Sequence, residues 1–311
     1  MSIVDETSKS DSLSLLFPQI FNPLKYAKVL IQLGYEPISP FMGHNLFSIF
    51  NVTNKTWRYP WIGNYIYYMY QKRGIAHVLT AGLFARLSFT TLSGVSQRII
   101  TQRICENTTE DEIEDVMEKN SWGDFYVILV EISVFKLYEV IITHPFKVIM
   151  TRQMADFIVD ENDHAWFIQA VLCIIKESGW KGFYKGIVPS IFAELCRCAI
   201  YYGSCRLVYN MLKSPSQLRT PEGEIDRMAK RNETVKLLCR SVLKYAFSNV
   251  FYPFEVVSTV MMLDGVNLNK HIQLSDFKSW RKCWRTLKLE NQLYRGYSFI
   301  FRNHVKFSGN V

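Results

Sequence analysis

Eight ionisable residues stand inside stretches that are otherwise apolar, and their types and spacing suit the handling of charge rather than the breaking of bonds. Lys28 lies in Leu13 to Leu33; Glu131, Lys136 and Glu139 in Phe125 to Met150; Glu194 and Arg197 in Pro189 to Leu212; Arg240 and Lys244 in Val235 to Leu263. At roughly 100° per residue, Glu131 and Glu139 fall about 80° apart, so both can look out from one helix face. An ionisable group at bilayer depth costs at least about 2.5–3.5 kcal/mol and therefore turns to a partner or to water. The expected arrangement is a hydrophilic groove lined by these eight. A competing arrangement pairs them within their own helices, Lys136 with Glu139 and Glu194 with Arg197, each at i,i+3 spacing. Arg240 and Lys244, one turn apart and alike in charge, gain nothing from each other and need outside anions or water.

Other chemistry finds little support. His144 precedes Pro145 at an expected helix bend, where a capping or interfacial role suits it, and no nucleophile, metal cluster or phosphate loop accompanies it. The seven cysteines form no Cys-x-x-Cys and no Cys/His ligand spacing. Neither an enzyme nor a cofactor is expected. The net charge of +8 lacks the clustering with interleaved aromatics that nucleic acid requires, so anionic membrane lipids are the simpler partner. Asn51, Asn54, Asn107 and Asn232 begin Asn-x-Ser/Thr triplets, yet nothing marks secretion. The first twelve residues hold Asp5, Glu6 and Asp11 against Lys9, which does not suit a basic amphipathic presequence, so any targeting signal is expected to be internal.

The elements that must position these charges are membrane helices. With 49% hydrophobic residues and a mean hydropathy of +0.01, composition is ambiguous, so the membrane reading rests on repeats and local segments. Spans are expected over Leu13–Leu33, Gly82–Ile104, Phe125–Met150, Pro189–Leu212 and Val235–Leu263, each of about 20 residues or more. Gly82–Ile104, with Arg86 and Arg98, is the least apolar of them. Trp61 to Gln71 suits a short interfacial helix, with a soluble core helix as the alternative. An acidic loop at Glu110–Asp115 and a charged linker at Lys213–Lys236 separate the parts.

Those parts repeat. Pro145 with its following Lys147 and Arg152 leads, past an amphipathic link, to Gly179-Trp180-Lys181-Gly182-Phe183-Tyr184-Lys185-Gly186 and Pro189. Upstream, Pro23 leads to Gly74 and Gly82; downstream, Pro253 leads to Leu293-Tyr294-Arg295-Gly296. Only the first copy carries an extra loop. Three ordered copies, about 13–104, 124–213 and 235–311, resemble the three two-helix repeats of the mitochondrial solute carrier family within a single domain. The stretch Tyr26-Ala27-Lys28-Val29-Leu30-Ile31-Gln32 is similar to the mitochondrial carrier homologues, divergent outer-membrane relatives.

The resemblance implies an all-α membrane protein with a carrier fold. After Gly296 the fifteen residues to Val311 include Arg302, His304 and Lys306, so a sixth span is expected to be missing and the cavity to open sideways into lipid. A working carrier of this family closes a gate with an acid two residues after each proline and a base five after. Here those positions read Lys25, Lys147, Glu255 and Lys28, Met150, Ser258, which cannot form three ion pairs. The homologues' implied activity is insertion of tail-anchored and other helical client proteins into the mitochondrial outer membrane. Lipid scrambling and a receptor role for a pro-apoptotic Bcl-2-family protein accompany it. Lys28 and Glu194 match the family's groove; several other charges have no secure counterpart. A solute transporter is the first rival reading, and a peripheral helical scaffold the second.

Overall fold

Helix ends follow local chemistry. The computed structural model describes residues 21–44, 55–104, 121–159, 166–212, 222–264, 277, 279–298 and 302. Helix α1 (Asn22–Leu33) carries Pro23 in its first turn, where a missing N–H is no loss. It stops at Gly34, whose φ of 91° lets the N–H reach the Ile31 carbonyl at 2.9 Å. The earlier part of the first expected span, 13–20, lies outside the described residues, as do the acidic loop and most of the stretch after Gly296 in which a sixth span is expected to be missing.

The first repeat's extra loop corrects the all-α expectation. Strands β1 (Phe41–His44) and β2 (Lys55–Arg58) pair antiparallel, Phe41 opposite Arg58 and His44 opposite Lys55. Four residues are too few to show a period of two in sequence, and such a hairpin holds only against other structure. Helices α2 (Ile62–Arg73), α3 (Ile75–Thr80) and α4 (Leu83–Ile104) follow. Then come α5 (Trp122–Val159), α6 (Phe167–Ser178), a tight 3-10 stretch (Gly179–Tyr184) and α7 (Ile187–Leu212). The last three are α8 (Glu222–Val250), α9 (Tyr252–Met262) and α10 (Trp280–Leu289).

Helix α5 starts where the Ser121 hydroxyl accepts the Asp124 N–H and runs through Pro145, which has no N–H to give the Ile141 carbonyl. Pro253 falls instead in the first turn of α9, after a break between Val250 and Tyr252. The charged linker is shorter than expected, because α8 already begins at Glu222. Its Glu, Lys, Arg, Met and Ala residues are strong helix formers. Among the described residues, one helical stretch, 75–104, is long and apolar enough to cross a membrane by length and composition, at a mean hydropathy of 1.3. That stretch contains the span read as least apolar. Few charges, rather than greater apolarity, single it out: α4 is less apolar on average than α5 and α7, but α5 holds Glu131, Lys136 and Glu139 close together.

The chain gathers into two compact units: unit 1, Met1–Leu92, Ile142–Pro189 and Pro253–Val311; and unit 2, Ser93–Ile141 and Ser190–Tyr252. The division falls within α4, α5 and α7, and after the first residue of α9. Unit 1 has the larger core, built on Tyr26, Leu30, Tyr65, Met69, Val148, Met154, Phe157 and Ile174. The Phe157 ring is met edge-on by Tyr26 and Tyr35 at 6.0 Å and by Tyr68 at 6.4 Å. Helix α2, within the stretch expected to lie at an interface, buries Ile62, Tyr65 and Met69 in this core and leaves Tyr67 63% exposed. Unit 2 centres on Ile100, Phe125, Ile132 and Cys198. It exposes Tyr126, Val127, Val130, Val134 and Tyr138 of α5 and Leu237, Leu238, Val242 and Tyr245 of α8. For so small a core, that outer apolar surface is large.

Candidate functional site

In unit 1 the three prolines bring equivalent positions to one place. A cavity of about 430 Å³ is lined by Lys25, Lys147 and Glu255, each two residues after its proline, and by Lys28 and Met150, five after. Val29, Thr151 and Thr259, each six after, complete the matching sets. Offsets of 2, 5 and 6 fall on one side of a helix with 3.6 residues per turn, so three equivalent helices present equivalent residues.

The ring has kept one charge pair. Lys28 Nζ donates to Glu255 Oε1 at 3.1 Å across 227 positions of sequence. Thr259 Oγ1 donates to Gln32 at 3.3 Å beside it. At the cavity wall Arg86 donates to the Asn22 side chain at 2.8 Å, and the Lys25 ammonium lies 5.6 Å from the Phe89 ring centre.

The expected repeat residues have definite work. Gly82, Gly186 and Gly296 all take positive φ, 70°, 77° and 74°. Gly186 also touches the next proline helix: a Cβ there would sit 2.6 Å from the Ser258 carbonyl oxygen, while one on Gly82 would come 3.0 Å from the Met150 side chain. Ser258 and Met150 are both fifth after their prolines, so each glycine meets the same point of the following repeat. In the first two repeats the residue before the proline ties the repeat to itself. Asn22 donates to the Ala81 carbonyl at 3.3 Å, and His144 Nε2 lies 2.9 Å from the Lys185 carbonyl; both acceptors immediately precede the repeat glycine. His144 is therefore a buried anchor rather than an interfacial residue. Pro189 sits in the first turn of α7, where its ring fits.

Sequence reading missed these anchors because Asn22 and His144 share a position but not a type. It also missed Arg302, which pairs with Glu36, donates to the Pro60 carbonyl at 3.2 Å and lies 5.4 Å from the ring centres of Tyr59 and Tyr65. Burial pushes the Glu36 carboxyl up, with Arg302 pulling against it.

Of the eight groove candidates, Lys28 belongs to unit 1 and the other seven to unit 2. Within unit 2, Lys136 and Glu139 pair at 2.7 Å, and Ser93 of α4 donates to the same carboxylate at 2.5 Å. Arg197 and Glu194 pair at 2.7 Å. The i,i+3 partners are thus used, and Glu139 also fastens α4 to α5. Glu131 reaches Arg103 at 3.5 Å. Arg240 is half-buried and Lys244 exposed on α8. Arg206 lies over Trp122 and Phe125 at 4.9 and 5.4 Å, joining α7 to α5. Among the described residues no group of three or more His, Cys, Asp or Glu could hold a metal ion.

Similarity to known proteins follows the same lines. The family described as Mitochondrial carrier protein matches residues 133–216, the second repeat. Mitochondrial carrier homolog 1 of Mus musculus is 28% identical over 90% of this chain and 72% of its own length. Mitochondrial carrier homolog 2 of Homo sapiens is 28% identical over 90% of this chain and 88% of its own. Solute carrier family 25 member 16 of Mus musculus is 28% identical over 52% of this chain and 49% of its own.

Proposed function

This chain is a relative of the mitochondrial carrier homologues, and from that premise we propose that it inserts tail-anchored and other helical proteins into the mitochondrial outer membrane. The kinship makes it a mitochondrial membrane protein of carrier type. Multi-pass topology and a laterally open polar groove complete the reading.

One observation carries it. Charged groups sit half-buried on helices whose other faces are bare and apolar: Lys136, Glu139, Glu194 and Arg197 share α5 and α7 with exposed Val127, Val130, Val134, Phe192 and Leu207. Such helices offer hydrocarbon on one side and a polar path on the other. A client's short polar tail facing hydrocarbon unaided meets a steep desolvation barrier; pairs such as Lys136–Glu139 replace water along the way while the apolar helix slides out into lipid. No covalent step is needed, and the pairs are local enough to open without unfolding the helix that bears them. Lipid scrambling and binding of a pro-apoptotic Bcl-2-family protein would use the same face.

The test is insertion of a tail-anchored client into liposomes holding the purified protein. Neutralising Lys28 or Glu194, as Lys28→Gln or Glu194→Gln, changes insertion efficiency. Equal uptake with and without both residues sinks the reading. A second reading, solute transport, draws on the Lys28–Glu255 pair, since a carrier gate is built from such pairs. Substrate exchange in the same liposomes would favour it.

A further inference from the structure

We propose that the exposed face of α10 is a docking surface for an acidic segment of a partner protein. This face lies apart from the groove charges, and the proposal stands whether or not clients are inserted. Helix α10 buries Cys283 and Leu287 and sets Trp284 against Phe254, ring centres 4.5 Å apart. At roughly 100° per residue the opposite arc, about 120° wide, then holds Arg281, Lys282, Arg285 and Lys288, all exposed. Arg281, Arg285 and Lys288 form a stripe that runs for roughly 10 Å along the helix. Helix stability argues against most of this placement. The first turn holds no acid, and Arg281 and Lys282 stand there at the positive end of the helix dipole. Arg281 with Arg285, Lys282 with Arg285, and Arg285 with Lys288 are like charges at i,i+4 or i,i+3 spacing, which repel. Among the described residues the ion pairs within unit 1 lie elsewhere: Glu255 with Lys28, Glu177 with Arg152, Asp264 with Lys185 and Glu36 with Arg302. Four cations gathered without an internal counter-charge favour an anion from outside.

A helix that lies on a bilayer sinks apolar side chains below the head groups. In the same unit α6 and its flanks have such side chains, with Trp166, Ile168, Leu172 and Trp180 all 62–78% exposed. The outward arc of α10 offers only Leu289 among large apolar residues, at its last turn. The two faces are therefore built for different surroundings, α6 for lipid and α10 for charge in water. Single-stranded nucleic acid also fits α10 poorly, because it needs open aromatic faces on which bases stack. Trp284 spends its ring on Phe254, and the Arg281 guanidinium lies 5.8 Å from the Trp280 ring centre. An extended polypeptide rises about 3.3 Å per residue, so three or four residues in a row cover the stripe. A run of Asp and Glu of that length brings carboxylates to Arg281, Arg285 and Lys288 together, with Leu289 as an apolar contact at one end.

The experiment measures binding of a fluorescent oligoglutamate of about ten residues, ample to cover the stripe, to the full chain in nanodiscs of neutral phosphatidylcholine. The peptide binds, and raising salt from roughly 0.05 to 0.5 M weakens it about tenfold. Arg281→Gln, Arg285→Gln and Lys288→Gln each weaken binding about two- to fivefold, the worth of one exposed ion pair, and the three together at least about tenfold. Arg285→Lys keeps it, and Lys176→Gln and Lys181→Gln, exposed on the α6 side, leave it unchanged. Thermal melting separates lost binding from lost fold, and the single variants still report if the triple one does not fold. Unchanged affinity in the folded variants, or an equal loss in Lys176→Gln, would overturn the assignment. An oligothymidylate of the same length binding more tightly than the oligoglutamate would replace the protein partner with nucleic acid. If adding phosphatidylserine to the discs abolishes the difference between wild type and the triple variant, lipid head groups cover the face and the proposal fails.

Discussion

Unit 1 and unit 2 hold their charges in opposite ways. In unit 1 the ties join residues far apart in sequence: Lys28 with Glu255, Arg302 with Glu36, Arg152 with Glu177 at 2.5 Å. In unit 2 the shortest pairs lie one helical turn apart, Lys136 with Glu139 and Glu194 with Arg197. A long-range pair fixes which helices meet. A local pair by itself fixes only the direction of two side chains, and in unit 2 Glu139 ties two helices through Ser93 rather than through Lys136. Unit 1 therefore holds more of the ion pairs that specify which helices meet, and unit 2 more of those that stay within one helix.

The sharpest way to break this contrast is a pair of glycines. Gly186→Ala puts a methyl 2.6 Å from the Ser258 carbonyl at a φ of 77°, and should destabilise the fold by several kcal/mol, on the order of 3, read from thermal unfolding in detergent. Gly203→Ala, in the middle of α7 with nothing within 4 Å, should be neutral or raise stability by up to about 1 kcal/mol. Equal losses at both sites would erase the distinction.

Double-mutant cycles come next in size. Coupling between Lys28 and Glu255, each about one-third exposed or less, should reach about 1 kcal/mol, whereas Lys136 and Glu139 should show about 0.3–0.5 kcal/mol, as helical neighbours do. A larger coupling in unit 2 would reverse the assignment of roles.

Thiols sharpen the comparison further. Burial pushes the Cys283 thiol up to about 12 in unit 1, so at pH 8 it should label far more slowly than half-buried Cys239 of unit 2. Because the folded value is raised, the stability tied to this group is fully present below the unfolded thiol value of about 8.5 and is lost as pH climbs toward 12. Cys283→Ala should flatten that alkaline decline, measured as the melting temperature from pH 8 to 11. The smallest effect should come from Lys244→Gln, exposed on α8, which should move stability by less than about 0.5 kcal/mol.

What was legible in the sequence was whatever backbone geometry imposes on residue type. Proline in a first turn and glycine at positive φ are forced choices, so Pro23, Pro253, Gly82, Gly186 and Gly296 stand out without any structure. Asn291, with φ of 53°, precedes Gly296 much as Gly179 precedes Gly186, and it escaped notice because asparagine tolerates that conformation without announcing it. Charges within one turn were equally readable, as Lys136–Glu139 and Glu194–Arg197 show. Long-range partners were not. Lys28 and Glu255 were each visible as remnants of a gate, but their meeting depends on three helices closing on one another. The Asn22 and His144 anchors were hidden because each acceptor is a backbone carbonyl, which any residue can supply.

The Arg302 contact has a mechanical corollary. This guanidinium, within reach of two tyrosine rings and held by Glu36, binds the tail of the chain to the region around its first hairpin, while Trp284 of α10 lies tilted against Phe254 in α9 with ring centres 4.5 Å apart. A protease cut between residues 265 and 276 would therefore sever the polypeptide without releasing its final fragment, and the nicked protein should still migrate as one particle.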